Sequence, residues 1–163
     1  MNGYEISDYK LRIMKHLVSD PEVAELLDPD KQDEYPDDML YKKIFPYNRI
    51  HDTEQEVMTY ICVMVDVPGS YAKNDVLRNV TIRVRIYAHE DLMYVKGKTG
   101  DRIDLISAKI DELLNESFDF GIGYVTLNSN TEHVLDSRHF YREMLFKTVA
   151  LNSRRDGVKQ WSE

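Results

Sequence analysis

From Arg78 to Ala88 apolar and polar residues alternate with a period of two, placing Val80, Ile82, Val84, Ile86 and Ala88 on one side. Thr81, Arg83, Arg85 and Tyr87 fall on the other, which is the pattern of a strand with one buried face. After the polar break at Lys96–Gly100 the period lengthens. Ile103, Ile106, Ile110, Leu113 and Leu114 recur at helical spacing, with Arg102, Lys109, Asp111 and Glu112 off the apolar stripe and Asp101 or Thr99 as the cap. A strand and a helix of this kind bury each other's apolar side.

The same pattern predicts the remaining elements. Ile6, Tyr9, Ile13, Leu17 and Val18 mark a first helix, with Ser7 or Asp8 as its cap. Ser19-Asp-Pro-Glu22 reads as a capping box opening a second short helix that turns Val23, Leu26 and Leu27 inward. Asp28 to Asp38 is acidic and proline-bearing, a solvated loop. Met39 to Tyr47 is an extended segment with one or two anchoring aromatics, because Pro46 interrupts any longer element. Glu56 to Val67 is a second strand, with Met58, Tyr60, Cys62 and Met64 opposite its β-branched side, so it is covered on both faces. It is expected to stop at Pro68-Gly69, leaving Gly69 to Leu77 as a long polar hairpin connection. A short strand around Tyr124–Asn128, a polar stretch from Ser129 to Asp136 and a last strand from His139 to Leu151 complete the order. The expected fold is α+β: an antiparallel or mixed sheet of about four strands packed against helices, with an N-terminal helical segment and a long hairpin. It forms a single domain over 1–163: N-terminal helices in 1–28, an irregular acidic segment in 29–55, a sheet-and-helix core in 56–151 and a C-terminal tail in 152–163.

Composition narrows the function. Hydrophobic content of 42% and charged content of 31% are ordinary for a globular chain, and a net charge of −8 argues against a nucleic-acid-binding surface. Cys62 is the only cysteine, which leaves no disulfide framework and no thiolate-rich zinc site. No secretory signal or membrane-length apolar run is seen, so the chain reads as made in the cytoplasm and kept off membranes.

Candidate chemistry is weak throughout. Gly97-Lys98-Thr99 sits where a phosphate loop would, but Leu92 occupies the position of the first glycine, so the amides cannot wrap a phosphate. Asp28 to Asp33 lacks the glycine of a calcium loop, and Met39 stands at its final carboxylate position. His16, His51, His89, His133 and His139 show no ligand spacing. No nucleophile elbow appears. The reading is therefore of no enzyme, no cofactor and no metal, and of residues suited to subunit contact: Tyr71, Lys73 and Asn74 on the hairpin, Arg83, Arg85 and Tyr87 on the strand, and Trp161 in the tail.

From Glu56 to Leu151 the chain resembles the tail-terminator, or tail-completion, proteins of long-tailed bacteriophages. The residues that carry the resemblance are Ile82-Arg-Val-Arg-Ile-Tyr-Ala-His89, Gly100-Asp-Arg-Ile-Asp-Leu-Ile106 and Phe140-Tyr-Arg-Glu-Met-Leu-Phe146, behind a helix ending in Val23-Ala-Glu-Leu-Leu27. Ile44 to Ile50 is similar to chains that accompany prophage structural genes of Gram-positive bacteria. The resemblance implies a virion protein of the neck, a homohexameric ring that caps the tail tube and meets a head-completion or connector protein. DNA would cross its lumen without specific binding. Another neck component, or a small cytoplasmic enzyme or ligand-binding domain, are the alternatives.

Overall fold

The computed structural model describes residues 3–30, 35–72, 74–121 and 123–151. Two helices, α1 (Gly3–Val18) and α2 (Pro21–Leu27), precede a two-residue strand, β1 (Ile44–Phe45). A long hairpin, β2 (Thr59–Tyr71) and β3 (Asn74–His89), leads to helix α3 (Arg102–Leu114), and β4 (Thr126–Val134) and β5 (His139–Leu151) close the chain. The strands form one sheet in the order β1-β2-β3-β5-β4, with β1 parallel to β2 and every other pair antiparallel. This is the expected α+β architecture, with five strands in place of about four.

The alternating side of β3 is the floor of the core. Val65, Ile82 and Phe146 form one cross-strand row, and Val63, Val84 and Met144 the next. Against these rows lie Ile13, Leu17 and Val18 of α1, Val23 and Leu27 of α2, and Ile103, Ile106, Ile110 and Leu114 of α3. Burying each such side chain contributes roughly 1.5–3 kcal/mol, so this layer dominates stability.

Several boundaries differ from the sequence expectation. Helix α1 begins at Gly3, so Ser7 and Asp8 lie within it and do not cap it. Asp20, not Ser19, caps α2: its carboxylate accepts from the amides of Glu22 and Val23, while Ser19 Oγ donates back to Lys15 O. Strand β2 does not stop at Pro68-Gly69, because an irregularity between Asp66 and Gly69 absorbs the proline and pairing continues to Tyr71. Most of the supposed connection Gly69–Leu77 is thus strand. Thr126–Val134 is also strand, although Ser129 onward is polar: β4 is the sheet edge and buries little.

Arg102 departs from its assigned polar face. It is only 7% exposed, and its Nε and Nη1 donate to Leu92 O and Leu26 O at 2.6 and 2.7 Å. From the start of α3 it clamps the C-terminal end of α2, and a helix C-terminus is where the dipole favours a cation.

Candidate functional site

The second face of the sheet, away from the helices, is where polar chemistry gathers. Residues 46–58, which join β1 to β2 without regular structure, run along it as a strap. Beneath them Phe45, Tyr60, Cys62 and Tyr87 are buried. Tyr60, Tyr87, Tyr141 and His133 are successive register partners on β2, β3, β5 and β4. Their rings stack at 4.8, 5.0 and 4.8 Å, and Phe45 of β1 meets Tyr60 edge-on at 5.9 Å. One ring from each of the five strands therefore builds a continuous aromatic row, each contact adding about 0.5–1.5 kcal/mol.

Polar groups tie the strap to that row. Tyr60 Oη donates to Arg49 O at 3.1 Å, and Tyr87 Oη to Asn48 Oδ1 at 2.7 Å. Arg49 lies 5.2 and 5.1 Å from the Phe45 and Tyr60 ring centroids and pairs with Glu56 at 2.8 Å. Burial pushes both tyrosine hydroxyls above the usual phenol range.

The strand residues assigned to subunit contact take different positions on this face. Tyr87 is 1% exposed, covered by the chain's own strap. Arg85 donates through Nε to Glu143 Oε2 at 2.6 Å and lies over Tyr141. Arg83 is 37% exposed and reaches Asp66 at 3.6 Å. Tyr71 and Asn74 are register partners in the backbone at the far end of the hairpin. Lys73 and Trp161 lie outside the described residues.

At the other end of the face the fold assembles a cluster that no spacing announced. His51 comes from the strap, His89 from the end of β3, Asp136 from the β4–β5 turn and His139 from the first position of β5. The Asp136 carboxylate accepts from the amides of Arg138 and His139, both at 2.8 Å. It also faces His139 Nδ1 at 3.0 Å and His51 Nε2 at 2.7 Å. His139 Nε2 lies 2.9 Å from Glu56 O. One ligand atom from each of His51, Asp136 and His139 falls within 4.8 Å of the others, close enough to suggest a metal centre. The ring geometry argues otherwise: His51 and His139 stack at 3.6 Å with planes only 7° apart. An ion in the plane of one ring stands out of the plane of the other, so the stacked pair does not chelate one ion. The sole local signal in the sequence was Asp136-x-x-His139.

A separate cavity of about 420 Å³ opens between α2 and the start of α3, lined by Leu26, Tyr94 and Leu105 and by charges of both signs, Glu22, Lys96 and Arg102 among them. The phosphate-loop reading gains nothing from it, since the Arg102 amide is already bonded to Met93 O.

Compared with known proteins, residues 13–148, from within α1 to β5, match the model of the YomW family. No curated protein matches the chain.

Proposed function

The chain belongs to the YomW family, a phage-derived family, and from that premise we propose that it is a structural protein of the phage neck, a ring that caps the tail tube and joins tail to head. The protein acts by docking, with no bond made or broken. Its partners are further copies of itself, the tail-tube protein and a head-completion or connector protein, and it resides in the virion after synthesis in the host cytoplasm.

The observation that carries this reading is the shape of the β2–β3 hairpin. Val65 and Val80 are its last core residues. Among the described side chains of 66–79 and 149–151 none is buried, although Ala150 packs against the edge of the core, so the upper part of β2, β3 and β5 forms a ribbon with little core of its own. Such a ribbon is marginal in water unless something covers it. A second copy is the cover required by a head-to-tail ring, in which one surface of each subunit meets a different surface of the next. The net charge of −8 per copy suits a channel that phosphate must pass without sticking.

The test is to mix the full chain with purified tail tubes and follow mass and particle images. Rings at tube ends, together with the chain's presence in purified virions of a phage that encodes it, are expected. A chain missing from virions, or one that stays monomeric beside tubes and turns over a small molecule, overturns the reading.

A further inference from the structure

The histidine cluster has a protonation problem that its geometry solves in one way. Asp91 N donates to His89 Nδ1 at 3.1 Å, so the His89 proton sits on Nε2, which is buried without a hydrogen-bond partner, and the His89 and His139 rings meet in a T-shape at 5.0 Å. His51 needs one proton, on the Nε2 that meets Asp136. Its buried Nδ1 has no partner and stays bare. His139 is different: Nε2 meets the Glu56 carbonyl and Nδ1 meets the Asp136 carboxylate, so both nitrogens face acceptors. A neutral ring would point a lone pair at one of them. The arrangement is complete only when His139 carries both protons, as a cation stacked on neutral His51 and shared with one anion.

We propose that His51, Asp136 and His139 form a proton-dependent latch that holds the middle of the strap, residues 48–56, over the aromatic row. With His139 doubly protonated, the strap is gripped at His51 through Asp136 and at Glu56 O through His139. When the ring loses one proton, the charged Asp136 keeps Nδ1–H and the Glu56 carbonyl is released. The strap then loosens around Asp52 and Glu56, whose own amides are held only within it, by Glu56 Oε2 and Thr53 O. Among the described residues the charged groups facing the cluster are few. Besides Asp136 they are Asp91, 3.5 Å from His89 Nδ1, and Glu56, whose carboxylate is occupied by Arg49. Arg138 is turned away to Glu90 at 3.7 Å.

The full chain, uniformly labelled with nitrogen-15, provides the test. From about pH 5 to about pH 8, the range in which histidines in general change charge, the nitrogen shifts of His139 report whether both ring nitrogens carry a proton or Nδ1 alone. Hydrogen-exchange protection factors of the Asp52 and Glu56 amides should fall about tenfold over the same interval, the weight of one charged hydrogen bond. His139→Gln should flatten that dependence, whereas His16→Gln, outside the cluster, should keep it. Protection that does not change with pH in the unmodified chain, or a His139 ring singly protonated at about pH 5, overturns the proposal. So does stoichiometric Zn²⁺ that restores protection at about pH 8, since the bridging cation is then a metal. Because the readout concerns one protomer, failure of ring assembly leaves it unaffected.

Discussion

Arg85 and Glu143 meet directly across β3 and β5 as register partners, Nε to Oε2 at 2.6 Å, with side chains only 23% and 18% exposed. Burial works against the Arg85 charge, but the hydrogen bonds to Tyr87 and Glu143 more than offset it and hold the guanidinium above its ordinary pKa. The same guanidinium lies 5.3 Å from the centroid of the Tyr141 ring, so the ion pair and the aromatic row are one unit. Arg85→Ala should therefore leave Glu143 without its cation and cost about 2–3 kcal/mol in urea unfolding, somewhat less than a fully buried pair. The double change Arg85→Met with Glu143→Leu should recover much of that loss. An Arg85→Ala variant within about 0.5 kcal/mol of the parent, the range of ordinary surface changes, would show that the pair contributes nothing.

Asp136 supplies the acid limit. Burial opposes its charge, yet the amides of Arg138 and His139 and the His139 ring lower its carboxyl from 3.8 to about 2. A carboxyl depressed in this way adds stability that is complete above its unfolded value and disappears as pH falls through the folded one. As Asp136 itself takes up its proton, the stability gap between the parent and Asp136→Asn should hence close between about pH 4 and pH 2. A gap unchanged down to about pH 2 would mean that the carboxylate is not held by these donors.

How much of this was legible in the chain follows from where burial decides. The β3 alternation, the α3 stripe and the span His139–Leu151 could be read because one side of each element lies in the core. Pro68-Gly69 misled because a bulged strand can pass a proline that a regular one cannot. Only the start of β4 was legible, at Tyr124–Asn128, because an edge strand with little burial carries no apolar alternation beyond Ser129. The buried role of Arg102 was invisible, since its partners are backbone carbonyls, which leave no mark in side-chain pattern. Tyr60 and Tyr87 were placed off the core face, but only register aligns them with Tyr141 and His133. The cluster of His51, His89, Asp136 and His139 required the strap to cross the sheet, and no local spacing encodes that crossing.

Cys62 reports on that strap. It is fully buried under it, with Arg49 N donating to Sγ at 3.3 Å, and burial pushes its thiol up to about 11. Thiolate is thus scarce and the sulfur is screened, so labelling by a disulfide reagent at about pH 8 should proceed only through local opening. We expect a rate at least about a hundredfold below that of the urea-unfolded chain. Labelling of the folded protein at the unfolded rate would show that the strap does not cover the β2 face.

Arg83 separates folding from docking on the same face. Unlike Arg85 it is 37% exposed, and among the described residues its ion pair is a loose one to Asp66 at 3.6 Å, itself 54% exposed. Such a pair adds about 0–1 kcal/mol, so Arg83→Ala should unfold within about 1 kcal/mol of the parent. Docking of this face on a neighbouring copy gives the guanidinium a second task, because arginine at a contact loses its water and must find an acceptor there. In that case Arg83→Ala abolishes ring formation on tail tubes while the monomer stays folded, and Arg83→Lys, which keeps the charge without the planar fork, restores it only in part. Native mass measurement with a parallel urea curve reads both quantities on one sample. Rings that form unchanged in Arg83→Ala remove this face from the contact, and the projecting hairpin must then make it alone.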